Sequence, residues 1–220
     1  MRTKFLLILT IFASLSFPHL NYGQAPNLGT AANFVLFSTN GAVSNTGISH
    51  LTGNVGSDNG SSTAFGNVDG VMHDNDLESA QAGADLLIAY NQLDAAIPTL
   101  FPVSSVLGNG QVLIAGVHSI PSAATLDLDL TLDAQGVSSA VFIIQIEGAF
   151  ASSADAKVKL VNGAKACNVF WKIEGSVDLA SGTTMRGNII ANNAAITMNT
   201  GDTLEGRALT TTGALSLIHI

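Results

Sequence analysis

Cysteine is nearly absent: Cys167 is the only one in 220 residues, so no intrachain disulfide framework staples the chain. Charge is scarce as well. Asp, Glu, Lys and Arg make up 11% of the residues, against about a quarter in an ordinary soluble domain. The balance is acidic, with a net charge of −8, which argues against nucleic acid as a partner. Much of the surface must then be Ser, Thr, Asn, Gly and Ala, which suits a face that meets something uncharged. Aromatics are few, and none forms a platform of the kind that stacks sugars. Metal, nucleophile and phosphate motifs are missing: there is no HExxH, CxxC, GxSxG or P-loop. His50, His73 and His118 are scattered and read as solvated loop residues. Cys167 lies in the apolar run AKACNVFW and reads as a small buried hydrophobe. No cofactor and no metal are expected.

The first residues have a different character. Arg2 and Lys4 precede the apolar run 5–17, and Tyr22-Gly23-Gln24 offers a cleavage region. This pattern predicts a signal peptide over 1–23 and a secreted single domain over 24–220. No later segment reaches about 18 uninterrupted apolar residues, so no membrane association is expected after cleavage.

Two distant stretches share a 19-residue frame. Residues 35–53 read VLFSTNGAVSNTGISHLTG and residues 188–206 read NIIANNAAITMNTGDTLEG. Without gaps, Phe37 meets Ile190, Val43 meets Ile196, Leu51 meets Leu204 and Gly53 meets Gly206. Residues 169–187 form a third copy, and 207–217 a partial fourth. A repeat of about 20 residues built from short alternating runs is a solenoid signature. Three strands per repeat imply a triangular cross-section, and period-two alternation assigns the faces.

On the second strand, Val43, Val177, Leu179, Ile196, Met198 and Leu215 are expected inside. Ser44, Thr46, Asp178, Ala180, Thr197, Asn199 and Ser216 are expected outside. On the third strand Leu51, Met185 and Leu204 point in, while Arg186 and Glu205 point out. On the first strand Trp171, Ile173, Ile190 and Leu209 point in. Its outer residues Ile143, Phe170, Ile189 and Ala208 are apolar and need a cover.

That cover is available between the repeats. Over about 76–97 the period changes to that of a helix, with Asp76 as N-cap and Pro98 as the stop. Leu77, Ala80, Ala84, Leu87, Ile88 and Asn91, with Ile97, follow helical spacing. Further on, Leu126, Leu128, Leu130 and Leu132 alternate with Asp127, Asp129, Thr131 and Asp133. This predicts one strand with an acidic outer face.

The second-strand face carries short neutral groups. Residues two apart on a strand stand about 6.7 Å apart and neighbouring rungs about 4.8 Å. Thr is stiff at χ1, so the grid is rigid before anything binds, and its hydroxyls can hold ordered water.

The succession LGTAANFVLFSTNGAVSNTG, LTGNVGS, LDAQG, ACNVFW and GRAL resembles the microbial ice-binding (antifreeze) proteins. The likeness covers nearly all of residues 27–217. It implies a mainly β fold: a right-handed, discontinuous parallel β-solenoid of triangular cross-section, with one long α-helix packed along one face. It also implies that the N-terminal coil sits beside the C-terminal coils. The expected partner is an ice crystal surface with its ordered water. A monomer without enzymatic activity, cofactor or nucleic acid is expected. The family's flat face often bears Thr-x-Thr or Thr-x-Asn pairs, which Thr197-Met198-Asn199 and Ser44-Asn45-Thr46 match. Ser153, Ala180 and Ser216 complete the candidate ice-binding set, with Asp178 as a charged interruption. The alternative is a surface adhesin or carbohydrate-binding β-solenoid, which predicts aromatic stacking on an exposed face. A polysaccharide lyase would need a carboxylate–basic cleft.

Overall fold

A computed structural model describes residues 23–99 and 104–220. The expected signal peptide therefore lies outside the described residues, except for Gly23. Short parallel strands stack into a three-faced solenoid. Face a is built from Gly116–Ile120, Phe142–Ile146, Val169–Ile173, the second halves of Thr184–Ala191 and Thr203–Thr210, then Phe34–Ser38, Asn54–Ser57 and Met72–Asp74. Face b stacks Val106–Gly108, Ala124–Asp127, Phe150–Ser152, Val177–Leu179, Ile196–Met198, Leu215–Ile218, Val43–Thr46 and Ser62–Thr63. Face c holds Val112–Ile114, Asp129–Asp133, Lys157–Val161 and the first halves of Thr184–Ala191 and Thr203–Thr210. Leu51–Thr52 and Val68–Asp69 form a separate pair on that face.

The stacking order is not the chain order. Val43–Thr46 pairs with Leu215–Ile218 in parallel, Ser44 opposite Ser216. Leu36–Ser38 likewise pairs with Ala208–Thr210. The first coil is thus seated on the last, as the gapless match between 35–53 and 188–206 predicts. Two glycines let a single strand turn from face c to face a. Gly187 and Gly206 face each other across neighbouring rungs with φ of +115° and +149°. A Cβ on Gly206 would stand 1.9 Å from the Gly187 carbonyl oxygen, so only glycine fits.

The interior is a column of aliphatic residues around Trp171, Phe142 and Phe150. Trp171 is fully buried as expected, stacks on Phe150 at 5.5 Å between centroids, and donates from Nε1 to the Arg186 carbonyl at 2.9 Å. A second apolar cluster lies between face a and the helix α1, Leu77–Asp94.

Helix α1 begins in a capping box. The Asp76 carboxylate accepts from the Ser79 N–H at 2.8 Å, and Ser79 Oγ accepts from the Asp76 N–H at 2.9 Å. It ends three residues earlier than the spacing predicts. Pro98 disfavours helical backbone at the preceding residue, and Gln145, buried on face a, donates to the Leu93 and Ala96 carbonyls at 2.8 Å each. The Leu93 carbonyl, in the last turn, lacks an intrahelical i+4 donor and also accepts from the Ala96 N–H at 3.3 Å.

The buried stripe of α1 is also not the expected one. Ser79, Ala82, Gly83, Leu86, Ala89 and Leu93 face the solenoid, whereas Leu77, Leu87, Ile88 and Ile97 are exposed. Apolar residues occur all round this helix, so periodicity alone does not choose the side. Small residues choose it: a Cβ on Gly83 would stand 2.9 Å from Thr39 Cγ2.

Two further expectations are corrected. Ile190 and Leu209 face α1, while Ile189 and Ala208 point into the core, the reverse of the predicted order. Phe170 pairs with Asn188 rather than Ile189. The extra residue sits in the corner 192–195, which is one longer than the corner 174–176. A one-residue slip moves every side chain to the other face. Leu126–Leu132 is not one strand either. Leu128 adopts φ +57° and is exposed, forming the corner between Ala124–Asp127 on face b and Asp129–Asp133 on face c.

A buried ammonium locks the helix to the coils. Lys172, 1% exposed, lies 2.8 Å from Asp94, 3.0 Å from Glu147 and 2.8 Å from Glu174. Burial works to lower its pKa, but the three carboxylates outweigh that and raise it above the usual lysine range. The docked stripe can be tested by comparing two leucines one residue apart. Leu86→Ala should cost about 2–5 kcal/mol in urea unfolding. Leu87→Ala, on a half-exposed side chain, should stay within about 0.5 kcal/mol of the parent.

Candidate functional site

Face b is the one face with short neutral side chains along most of its length. Its strands register residue by residue, so their outward side chains form a ladder. Thr63, Ser44, Ser216, Thr197, Asp178, Ala151, Thr125 and Val106 lie opposite one another in that order. Eight rungs at about 4.8 Å make a column of roughly 34 Å. Beneath it, Val43, Leu215, Ile196, Val177 and Phe150 are all at most 1% exposed. The backbone that carries the ladder is therefore held by continuous core packing.

The structure brings three of the predicted residues, Ser44, Ser216 and Thr197, onto consecutive rungs. Thr46 stands two positions beyond Ser44, on the same strand, and faces Ile218. Asn199 and Ala180 are half-buried, and Ser153 is exposed, all three just past the ends of their strands. Asn199 is tied down. Its Nδ2 donates to the Asp178 carboxylate at 3.1 Å and to the Leu179 carbonyl at 2.6 Å. This bond couples the charged interruption of the column to an amide beside it. Thr63 and Thr125 extend the ladder at either side of the predicted set. They escape a 19-residue frame because their coils have other lengths, although Thr in a short alternating run was a usable signal. Ile218 and Val106 add apolar surface to the same face.

Directly behind this face lies Asp202, 1% exposed. It accepts from the backbone N–H of Asn199 at 2.7 Å and of Thr183 at 2.9 Å. Burial pushes its carboxyl up to about 6, against those backbone donors, with the charge of Asp178 adding to the rise. The chemistry elsewhere is sparse. His118 is buried on face a rather than solvated, with Nε2 2.9 Å from the Ile114 carbonyl, and burial lowers its pKa. Cys167 is exposed, not buried, because it sits on the short 3-10 turn Ala166–Asn168 outside the core. Asp129 on face c is engaged by Lys159 at 2.6 Å. Among the described residues, no three His, Cys, Asp or Glu side chains gather as a metal site would require.

Comparison with known proteins decides the lineage. The family model described as "Ice-binding-like" matches residues 37–220. The chain belongs to the ice-binding-like family. A curated ice-binding protein of Nostoc sp. is 37% identical over 219 residues, covering 97% of this chain and 80% of the relative. The crystal structure of an ice-binding protein from an Antarctic Flavobacteriaceae bacterium superposes with a TM-score of 0.87 at 58% identity. That match covers 89% of this chain and 46% of the other, so this chain spans under half of that protein's length. The ice-binding protein of the Antarctic ascomycete Antarctomyces psychrotrophicus gives a TM-score of 0.84 at 36% identity, over 88% of this chain and 95% of that one. Both solved structures share this chain's fold over nearly nine-tenths of its length.

The Asp202 carboxyl gives face b a pH signature. A raised acid in the folded state stabilises fully below its unfolded value of 3.8, and that contribution is lost as pH rises through about 6. Thermal unfolding of the parent relative to Asp202→Asn should therefore shift in the parent's favour as pH falls from 7 to 4. A flat difference across that range would contradict the burial argument.

Proposed function

We propose that this chain is a secreted ice-binding protein that adsorbs to ice through face b and inhibits ice growth and recrystallisation. Ice binding is supported by family membership and by the names its relatives carry. The choice of face rests on one observation, the continuous ladder of short outward side chains across eight paired strands, neutral except at Asp178.

The mechanism follows from the geometry. Thr and Ser side chains on a hydrogen-bonded sheet keep fixed spacings, so little order is lost when they engage a lattice. The hydroxyls offer donors and acceptors to first-shell water, Ser44 as an acceptor while it donates to the Leu215 carbonyl at 3.4 Å, and the methyls of Thr197, Thr125 and Thr63 fill the spaces between. Water ordered on such a grid merges with the growing crystal and anchors the protein. Growth between anchored molecules is forced into curved fronts, which are less favourable than flat ones. Ser44, Thr46, Thr197 and Ser216 carry this contact, with Ser153 and Ala180 as low neighbours that keep the face flat. Asn199 contributes by orienting Asp178 rather than by offering a free amide. The reading involves no reaction and no cofactor. Fully buried Trp171 leaves no stacking platform at that position for the carbohydrate-binding alternative.

Thr197→Tyr should reduce thermal hysteresis and recrystallisation inhibition to the level of buffer. As a surface change it should move Tm by no more than about 2 °C. Asp178→Thr, which restores a neutral hydroxyl to the column, should raise thermal hysteresis above that of the parent. Full activity in the tyrosine variant would overturn the assignment of the face.

A further inference from the structure

The corner between faces b and c holds a buried chain of hydrogen bonds. Val177–Leu179 and Ile196–Met198 leave face b through the corners 180–183 and 199–202. Asp202 sits in the second corner, 1% exposed, and its two carboxylate oxygens serve different coils. Oδ2 accepts from the Asn199 N–H of its own coil at 2.7 Å, and Oδ1 from the Thr183 N–H of the preceding coil at 2.9 Å. The Thr183 hydroxyl donates to the Ala180 carbonyl, so towards Ser152 Oγ, 2.7 Å away, it acts as acceptor. Ser152 Oγ in turn accepts from the Ala180 N–H at 2.8 Å. Three successive coils are tied by this relay, at the edge of face b where Asp178, Ala180 and Asn199 stand.

The relay also joins two carboxylates. Asn199 gives its backbone N–H to Asp202 and its side-chain amide to Asp178, and Asp178 stands in the outward column opposite Thr197. The other titratable groups around Asp202 are Asp155, beside Gly182 in the neighbouring corner, and His50, which lines one cavity with it. His219 turns its backbone carbonyl to the Gly201 N–H. Arg186 and Glu205, on the strands that leave these corners, pair with each other at 2.6 Å. Lys157 lies two rungs away from Thr203 on face c. Among the described residues neither Asp178 nor Asp202 has a cationic partner. Buried charges are screened far less than exposed ones, so an ionised Asp202 adds directly to the negative field at Asp178. Burial, with that repulsion, pushes the Asp202 carboxyl up to about 6.

We propose that Asp202 is a positioning residue for ice binding: it ties the b–c edge of the face together and, by taking up a proton, relieves that edge of charge. The proposal rests on face b being the ice surface. With Asp202 ionised, carboxylates flank Asn199 on both sides, and water beside them orients to the charge instead of to a lattice. With Asp202 protonated, the carboxyl keeps acceptor capacity for the relay, and Asp178 is left as the one charge of the outward column. Ice binding therefore strengthens as pH falls through the range in which Asp202 takes up its proton.

The test is thermal hysteresis of the full chain from pH 8 to pH 5 in buffers of equal osmolality. In the parent it should rise towards acid with a midpoint at about pH 6, and in Asp202→Asn that dependence should vanish. Carboxyl-carbon NMR gives a reading that does not require Asp202→Asn to fold. The Asp202 midpoint in the parent should coincide with the hysteresis midpoint, and in Asp178→Asn it should move to lower pH. The proposal is overturned by a parent profile that is flat or falls towards acid, by an unchanged profile in Asp202→Asn, or by an Asp202 midpoint that Asp178→Asn leaves in place. Thr197→Tyr separates this inference from the reading beneath it. An inactive tyrosine variant beside a flat parent profile removes this inference alone, whereas full activity in Thr197→Tyr removes face b and this inference with it.

Discussion

The structure depends on one closure, the parallel pairing of Val43–Thr46 with Leu215–Ile218. It joins segments from opposite ends of the described chain, and everything else is arranged so that they can meet. The first coil stacks outward through Ser62–Thr63 and Met72–Asp74 to one end of the solenoid. Helix α1 then carries the chain back along face a, and the remaining coils return towards the start. Eighteen helical residues at 1.5 Å span about 27 Å, which suits this return. Entropy opposes such a long-range closure only weakly with length, while the core beneath it, with Val43, Leu215 and Ile196 fully buried, rewards it directly. Lys172 secures the return path, because its three carboxylates come from the helix and from two coils.

Much of this was legible before any coordinates. The 19-residue frame placed Phe37, Val43 and Leu51 in columns with Ile190, Ile196 and Leu204, and that kinship is the closure itself. Alternation assigned the second strands correctly because their inward residues are aliphatic and their outward ones are not. The first strands defeated the same argument. Residues on both of their faces are apolar, one set for the core and one for α1, so nothing in the pattern reveals a slip of one residue at the corner 192–195. Helix α1 failed for a related reason: with apolar residues all round, the docked side is chosen by the fit of Gly83 against Thr39, which no periodicity records. Leu128 shows the converse, since a regular Leu-Asp alternation hides a left-handed corner.

The site was legible as a type of surface and less so as a set of residues. Ser44, Ser216 and Thr197 share a ladder because the closure puts them on adjacent rungs. Thr63 and Thr125 join it from coils of other lengths. Asn199, chosen for its place in a Thr-x-Asn pair, spends its amide on Asp178 and the Leu179 carbonyl. Two buried ionisable groups draw partners from other coils as well as from near neighbours: Lys172 gathers Asp94 and Glu147 beside Glu174, and Asp202 takes the Thr183 N–H beside that of Asn199, and no local spacing announces the distant ones.

The proposed function inherits its size from the closure. If face b acts as one surface, its active area crosses the break in the chain. The direct measurement is thermal hysteresis of Ser44→Tyr, on the far side of the break from Thr197, beside Thr131→Tyr on face c. The account predicts loss of activity in the first and parent-like activity in the second, with both folded. Parent-like activity in Ser44→Tyr, or loss in Thr131→Tyr, would contradict it.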